Sequence, residues 1–268
     1  MDLSAADLQL KGPQALYEDW ERGQWSPFGI DLGPDRADWD GLSEEERSLI
    51  LFALSSLMVA EERITTQFTG LVMAYDSEEE ATFLATQQVD EARHMQHYAR
   101  VQNEVIADPG AIVAHVARSR AQLSDAFNVI FDDKLVAAHL ALVAEPRNRS
   151  AKVGFVTIYH VVIEGTLGLT SFHFITRLLN QRHLLPGFVE GYTKIHHDEQ
   201  RHIAYGTWFC ARRSAPNRGW RTTCVALCAS CFPSSRRRST RRERRTRRYS
   251  GRAPRRSVSL PSTGSLAA

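Results

Sequence analysis

The chain has 268 residues, 43% of them hydrophobic, which is enough for one large core or two small ones. Its net charge of +2 conceals a division: residues 211–268 hold 16 arginines, no lysine and a single acid, Glu243, so residues 1–210 carry −13 and the remainder +15. The opening MDLSAADLQL has neither a basic start nor an apolar stretch, and no uncharged apolar run reaches the roughly 18 residues of a membrane span. A soluble, cytoplasmic protein with no membrane span is the expectation.

Residues 1–42, with Trp20, Trp25, Trp39 and several Gly and Pro, read as an irregular segment packed on the helical body of the chain. LSEEER then offers a capping box, in which the Ser43 hydroxyl takes an orphan backbone N–H and Glu46 reaches back. A helical pattern runs from there to Tyr75. Ser77 and Glu80 repeat the box, and a second helix reaches about Ala107, stopped by Asp108-Pro109-Gly110. Residues 111–145 read as further helix with a break. A third long helix, from about Ala151 to Leu179, is apolar nearly all round, which predicts a central position. NQRHLLPG makes a turn, and a fourth helix runs from Pro186 to about Arg213. No strand alternation persists. The expected fold is all-α, with a helical domain over 43–215 and an Arg/Ser-rich tail over 216–268.

Two E-x-x-H pairs, Glu91/His94 in VDEARHMQHY and Glu199/His202 in HHDEQRHIAYG, place an acid and an imidazole on one helix face. Each pair has a further acid one helix upstream: Glu61 lies 30 residues before Glu91, and Glu164 lies 35 before Glu199. Glu164 stands alone among Val161, Val162, Ile163, Leu167 and Leu169, where an unpaired carboxylate costs several kcal/mol unless a cation neutralises it. Four carboxylates and two histidines on four helices fit the ferritin-like dimetal plan. The donor set suits iron and manganese better than calcium. Glu62, Glu78, Glu79, Glu80, His97 and His115 are expected on solvated faces.

The pieces WSPFGIDLGPDRADWDGLSEEER, AEERI, DEARH, YHVVIEGTLGLT and DEQRHIAYGT carry a family likeness over about residues 13–213. The chain resembles the small subunit of class I ribonucleotide reductase, and within that superfamily its ligand-binding oxidases, which hold a manganese–iron pair and a long-chain fatty acid. The resemblance implies Glu61, Glu91, His94, Glu164, Glu199 and His202 as metal ligands, with Asp198 orienting a histidine ligand. It implies Mn and Fe, or two irons, as cofactors, O2 as co-substrate, a homodimer, and a ligand resembling a long-chain fatty acid. In the oxidases a tyrosine five residues before the third-helix glutamate forms an ether with a valine Cβ. Tyr159 and Ile64 occupy those places here. Five residues is about 140° around an ideal α-helix, so spacing alone does not predict Tyr159 beside the ligands.

Tyr98 stands where the reductase subunit carries its radical tyrosine, and reads as a redox relay or as packing. Trp25 falls in the reductase's electron-relay region, with a packing anchor the preferred reading. An O2-dependent dimetal oxidase is therefore expected, with the radical-generating subunit of ribonucleotide reductase as the alternative.

After about Ala215 the helical pattern fails, and the like charges of SSRRRSTRRERRTRRYSGRAPRR predict disorder. The excess of Arg, Ser, Pro and Ala is that of out-of-frame translation of a GC-rich gene. The Cys224, Cys228 and Cys231 spacing lacks the context of a cluster site. The arginines would hold nucleic acid only electrostatically, without specificity.

Overall fold

The computed structural model describes residues 10–108 and 123–213, with isolated positions between and after these stretches. Within them the chain is helical, and no strand occurs among the described residues. The helices are α1 (Pro13–Arg22), α2 (Gly33–Gly41), α3 (Glu44–Gln67), α4 (Thr69–Met73), α5 (Glu78–Arg100), α6 (Asp125–Asn128), α7 (Val136–Ala144), α8 (Arg149–Val156), α9 (Leu169–Arg182) and α10 (Pro186–Arg213). Three π-helical segments join or extend them: Val101–Ile106 after α5, Val129–Leu135 between α6 and α7, and Thr157–Gly168 between α8 and α9.

The N-terminal segment expected to be irregular contains two helices. Each has a proline in its first turn, where the missing N–H costs nothing. The segment does structural work at the far end of the chain. Asp35, fully buried on α2, accepts hydrogen bonds from the backbone N–H groups of Gly187 and Phe188 at 2.7 and 2.6 Å, and Asp38 accepts that of Leu185 at 2.8 Å. These carboxylates satisfy the orphan donors at the start of α10 and lie at the positive end of its dipole.

The capping box at Ser43 forms as the sequence predicts: Ser43 Oγ accepts from Glu46 N at 3.3 Å, and Glu46 Oε2 accepts from Ser43 N at 2.8 Å. The second box forms only by half. Ser77 Oγ caps Glu80 N, but the Glu80 carboxylate turns inward and is buried. It accepts from Lys152 Nζ at 2.8 Å and from the Tyr205 hydroxyl at 2.6 Å. Glu80 is therefore not a solvated residue. Its burial is compensated by a buried lysine from α8, a partner 72 residues away.

His97 is also buried rather than solvated. A Cβ at residue 191 would meet the His97 ring at 2.1 Å, so Gly191 is what lets α10 pass it. Burial pushes the His97 imidazole down to about 4, so it is neutral at physiological pH. Glu62, Glu78 and Glu79 are exposed as expected, and His115 lies outside the described residues.

The core falls into two clusters. One holds Phe68, Leu71, Phe83, Phe155, Tyr159, Tyr205 and Phe209. The other holds Trp39, Leu54, Tyr98, Phe188, Tyr192 and Ile195. The continuous run Arg149–Arg182 is long and apolar enough to cross a membrane, but 56% of its most apolar window is buried inside the bundle, as a central helix requires. Cys231, expected within a disordered tail, is buried in the first cluster. The rest of 216–268, apart from two further isolated positions, lies outside the described residues.

Candidate metal centre

Four helical segments meet at the centre of the bundle. Glu61 comes from α3, Glu91 and His94 from α5, Glu164 from the π-segment, and Glu199 and His202 from α10. The structure brings all six together as two triads, Glu61–His94–Glu199 and Glu91–Glu164–His202, each with its ligand atoms within 4.8 Å of one another. Glu91 spans the two: its carboxylate oxygens lie 3.5 Å from His94 Nδ1 and 3.4 Å from His202 Nδ1. Gly168 leaves room for the Glu199 carboxylate, which a Cβ there would meet at 3.1 Å.

Both imidazoles are held in the same way. His94 Nε2 lies 3.3 Å from Asp198, and His202 Nε2 lies 3.2 Å from Asp90. In the neutral imidazole, an Nε2 proton directed at a carboxylate leaves Nδ1 with its lone pair facing the triad. The two supports are exchanged between helices, since Asp198 on α10 braces the histidine of α5 and Asp90 on α5 braces that of α10. Arg93 contacts Asp90 at 3.0 Å and Asp198 at 3.7 Å, and Arg201 contacts Asp198 and, at 3.2 Å, Asp90. Each aspartate also accepts an indole N–H, Asp90 from Trp20 at 2.9 Å and Asp198 from Trp25 at 2.8 Å. Trp25 is thus tied to the centre rather than being only a packing anchor.

The resemblance pointed to Asp198 and not to Asp90, Arg93, Arg201 or Trp20. The signal was present: DEARH and DEQRH share D-E-x-R-H, a longer repeat than E-x-x-H alone.

Burial drives the ionisation of the centre. It pushes Glu61 well above the usual carboxylate range, Glu199 up to about 8, and Glu164 to about 7 despite the neighbouring His202. For Glu91, burial is outweighed by the adjacent His94 and His202 and by the hydrogen bond from Tyr159, so its carboxyl is held low. Burial works against a charged His202, but the Glu164 charge and the bonds to Asp90 and Glu164 raise it to about 10. Asp198 is likewise held below its usual range by His94 and Arg201 against the effect of burial. Protons and imidazolium charge thus balance the carboxylates where no cation does so.

Three of the triad atoms, Glu61 Oε2, His94 Nδ1 and Glu164 Oε2, are buried without a hydrogen-bond partner. Such orphaned donors and acceptors are costly in a protein interior. Their convergence on two points, with an oxygen and imidazole donor set, fits a pair of divalent transition-metal ions.

Tyr159 donates a hydrogen bond to Glu91 Oε1. The π-segment explains how it gets there. With i→i+5 hydrogen bonding the turn is wider, so residues five apart come to nearly the same face, which an α-helix would not allow. Ile64 is buried one helical turn beyond Glu61, in the same core cluster as Tyr159. Tyr98 is buried with its hydroxyl unpartnered, against Tyr192 and Phe188.

An apolar cavity of about 590 Å³ opens onto the centre. Its walls include Phe52, Leu57, Ile64, Phe127, Phe131 and Phe174, and its floor carries the four carboxylates Glu61, Glu91, Glu164 and Glu199.

Residues 7–222 match the family model of the ribonucleotide reductase small chain. The chain belongs to that family. Among solved structures, it is similar to an R2-like ligand-binding oxidase with an aerobically reconstituted Mn/Fe cofactor, at 25% identity and a TM-score of 0.76, over 82% of this chain and 76% of the other. A point variant of such an oxidase with an anaerobically reconstituted Mn/Fe cofactor matches at 25% identity and 0.76, over 83% and 80%. A variant with a non-activated Mn/Mn cofactor matches with the same values. The ferritin-like dimetal architecture expected for this small-chain family member is the one observed.

Proposed function

We propose that this protein is a dimetal oxidase that activates O2 for hydrogen abstraction and binds a ligand resembling a long-chain fatty acid. The observation that carries this reading is the cavity: an apolar space whose floor consists of the carboxylates of a six-ligand centre. Glu61, His94 and Glu199 would hold one ion, Glu91, Glu164 and His202 the other, with manganese and iron, or two irons, as the pair. When bound, the metals supply the reduction of O2 and the oxidising power for taking a hydrogen atom.

The chain's own residues set the rest. Asp90 and Asp198 fix the imidazole orientation, and the aromatic walls exclude bulk water. Glu91 holds the Tyr159 phenol at the centre. Ile64 offers a tertiary β C–H in the cavity wall. Loss of that hydrogen and of the Tyr159 phenolic hydrogen would join the two as an ether. An apolar chain would lie against Phe52, Leu57 and Phe174, with its polar head towards the carboxylate floor. The protein is expected to act as a homodimer in the cytoplasm.

Aerobic loading with Mn(II) and Fe(II) followed by intact mass spectrometry and solvent extraction tests both parts. A chain lighter by two hydrogens and an extracted acyl ligand are expected. A protein that retains no transition metal sinks the reading. The radical-generating subunit remains the second reading because of Tyr98, a buried phenol one turn beyond His94. A persistent tyrosyl signal in electron paramagnetic resonance, lost in Tyr98→Phe, would favour it.

A further inference from the structure

Tyr98 and Tyr205 hold matching places after the two D-E-x-R-H segments. In DEARHMQHY the phenol follows the ligand histidine by four residues, and in DEQRHIAY by three. Both are buried, but their hydroxyls differ in surroundings. That of Tyr98 has no hydrogen-bond partner, and its ring packs on Phe188 and Tyr192. That of Tyr205 donates to Glu80 Oε1 at 2.6 Å. Behind this carboxylate, Lys152 Nζ lies 2.8 Å from Glu80 Oε2 and 3.2 Å from Asp76. Glu80 also borders a cleft of about 350 Å³ whose walls include the exposed Asp76 and Arg212.

We propose that Tyr205 is a redox-active phenol: it gives one electron to the oxidised centre, and its proton to Glu80, whenever the centre holds an equivalent that the bound ligand does not consume. This rests on the dimetal oxidase reading.

The placement suits such a step. Three residues is just under one helical turn, so Tyr205 lies on the same face of α10 as His202. The His160 ring bridges Tyr159 and Tyr205, with centroids 4.7 and 5.2 Å from theirs. Gly206 permits that fit, because a Cβ there would meet His160 Cβ at 2.3 Å. A phenol is oxidised readily only where its proton has an acceptor within hydrogen-bond reach. Tyr205 has one and Tyr98 has none. Tyr159, once joined to Ile64, would have no phenolic hydrogen left to give.

The step balances. One electron passes from Tyr205 to the centre, the phenolic O–H bond breaks, an O–H bond forms on Glu80 Oε1, and a neutral radical remains. Lys152 then keeps Asp76 as its counter-charge. The ring gains no net charge, so the Lys152 ammonium weighs on it far less than it would on a cation. The next ring outward is that of Trp208, 5.9 Å from Tyr205, and the Arg212 guanidinium lies over it at 5.2 Å. An indole would have to become a cation beneath that guanidinium, so the radical stays on Tyr205. A small one-electron reductant, such as ascorbate, later restores the phenol as Glu80 returns the proton.

The test uses the full chain carrying Tyr159→Phe, which cannot form the ether, loaded with Mn(II) and Fe(II) and exposed to O2. Oxygen uptake is followed with an electrode. Samples frozen in H2O and in D2O are read by electron paramagnetic and electron–nuclear double resonance. A tyrosyl signal coupled to one exchangeable deuteron, the one carried on Glu80, is expected. Adding Tyr205→Phe should abolish the signal with metal content kept, and adding Tyr98→Phe should not abolish it. Glu80→Gln offers no site for the proton and should slow radical formation by about 100-fold. Should that variant fail to fold, the deuteron coupling still reports the acceptor. A signal lost in Tyr98→Phe, a signal without the exchangeable deuteron, or none despite oxygen uptake overturns the assignment and leaves the oxidase intact. Failure to take up metal or oxygen overturns both.

Discussion

The two halves of the metal centre are built on one five-residue pattern and differ in the phenol beside them. On the Glu91–Glu164–His202 side, Tyr159 is hydrogen-bonded to Glu91 and wedged against Phe68 and Phe155. On the Glu61–His94–Glu199 side, the nearby phenols are Tyr98 and Tyr192, packed on each other and on Phe188, and the Tyr98 hydroxyl has no partner. Repetition supplies two equivalent metal positions. The irregular π-segment, present on one side only, decides which tyrosine is coupled to a ligand. On the proposed function, the symmetric part of the site would serve binding and the asymmetric part would select what is oxidised.

The most severe way to disturb that comparison is to remove the carboxylate common to both halves. Glu91→Ala should abolish binding of both ions, whereas Glu164→Ala should leave one, as metal analysis after gel filtration would show. Equal loss in the two variants would mean that the halves are not separable. Next in size are the bracing aspartates. Asp90→Asn and Asp198→Asn should each lower metal affinity by roughly 10- to 100-fold, the first at the His202 position and the second at the His94 position. Competition with a chelator measures this.

A smaller and graded effect comes from pH. Glu199, at about 8, and Glu164, at about 7, hold protons below those values in the metal-free protein, and a proton on a ligand competes with a cation. Metal affinity should therefore fall as pH is lowered through 8 and then 7, with proton release on binding measurable by calorimetry in buffers of different ionisation enthalpy. A flat profile between pH 8.5 and 6.5 would contradict this account, those limits being about half a unit outside the two titrations. Changes at the phenols should leave metal content alone. Tyr159→Phe is expected to retain both ions and lose the two-hydrogen mass deficit, and Tyr98→Phe to keep both. Least of all, Gly191→Ala should destabilise the fold by about 1–3 kcal/mol by forcing a methyl group against His97, seen as a lower denaturant midpoint with ligation unchanged.

Much of this was legible in the sequence because the informative spacings were local. E-x-x-H lies on one helix face, and Glu164 stood out against its apolar neighbours, so the residues that converge could be picked out without coordinates, Glu61 rather than Glu62 through the family likeness. What escaped was non-local. Glu80 looks like one more acid in a charged helix start until Lys152 arrives from 72 residues away. His97 looks like a surface residue until Gly191 of α10 closes over it. The helices α1 and α2 are short and rich in residues that usually mark turns, and they gain order by capping and packing on α5 and α10. The π-segment has no compositional signature, so the position of Tyr159 could be expected only through likeness.

The exchanged aspartates have a consequence for assembly. Because α5 holds up the imidazole of α10 and α10 that of α5, neither metal position can be completed by its own helix pair. A fragment ending before α10, or a chain in which that helix has yet to dock, would lack not one half-site but both. Loading with metal should thus be all-or-none with respect to the closing of the bundle.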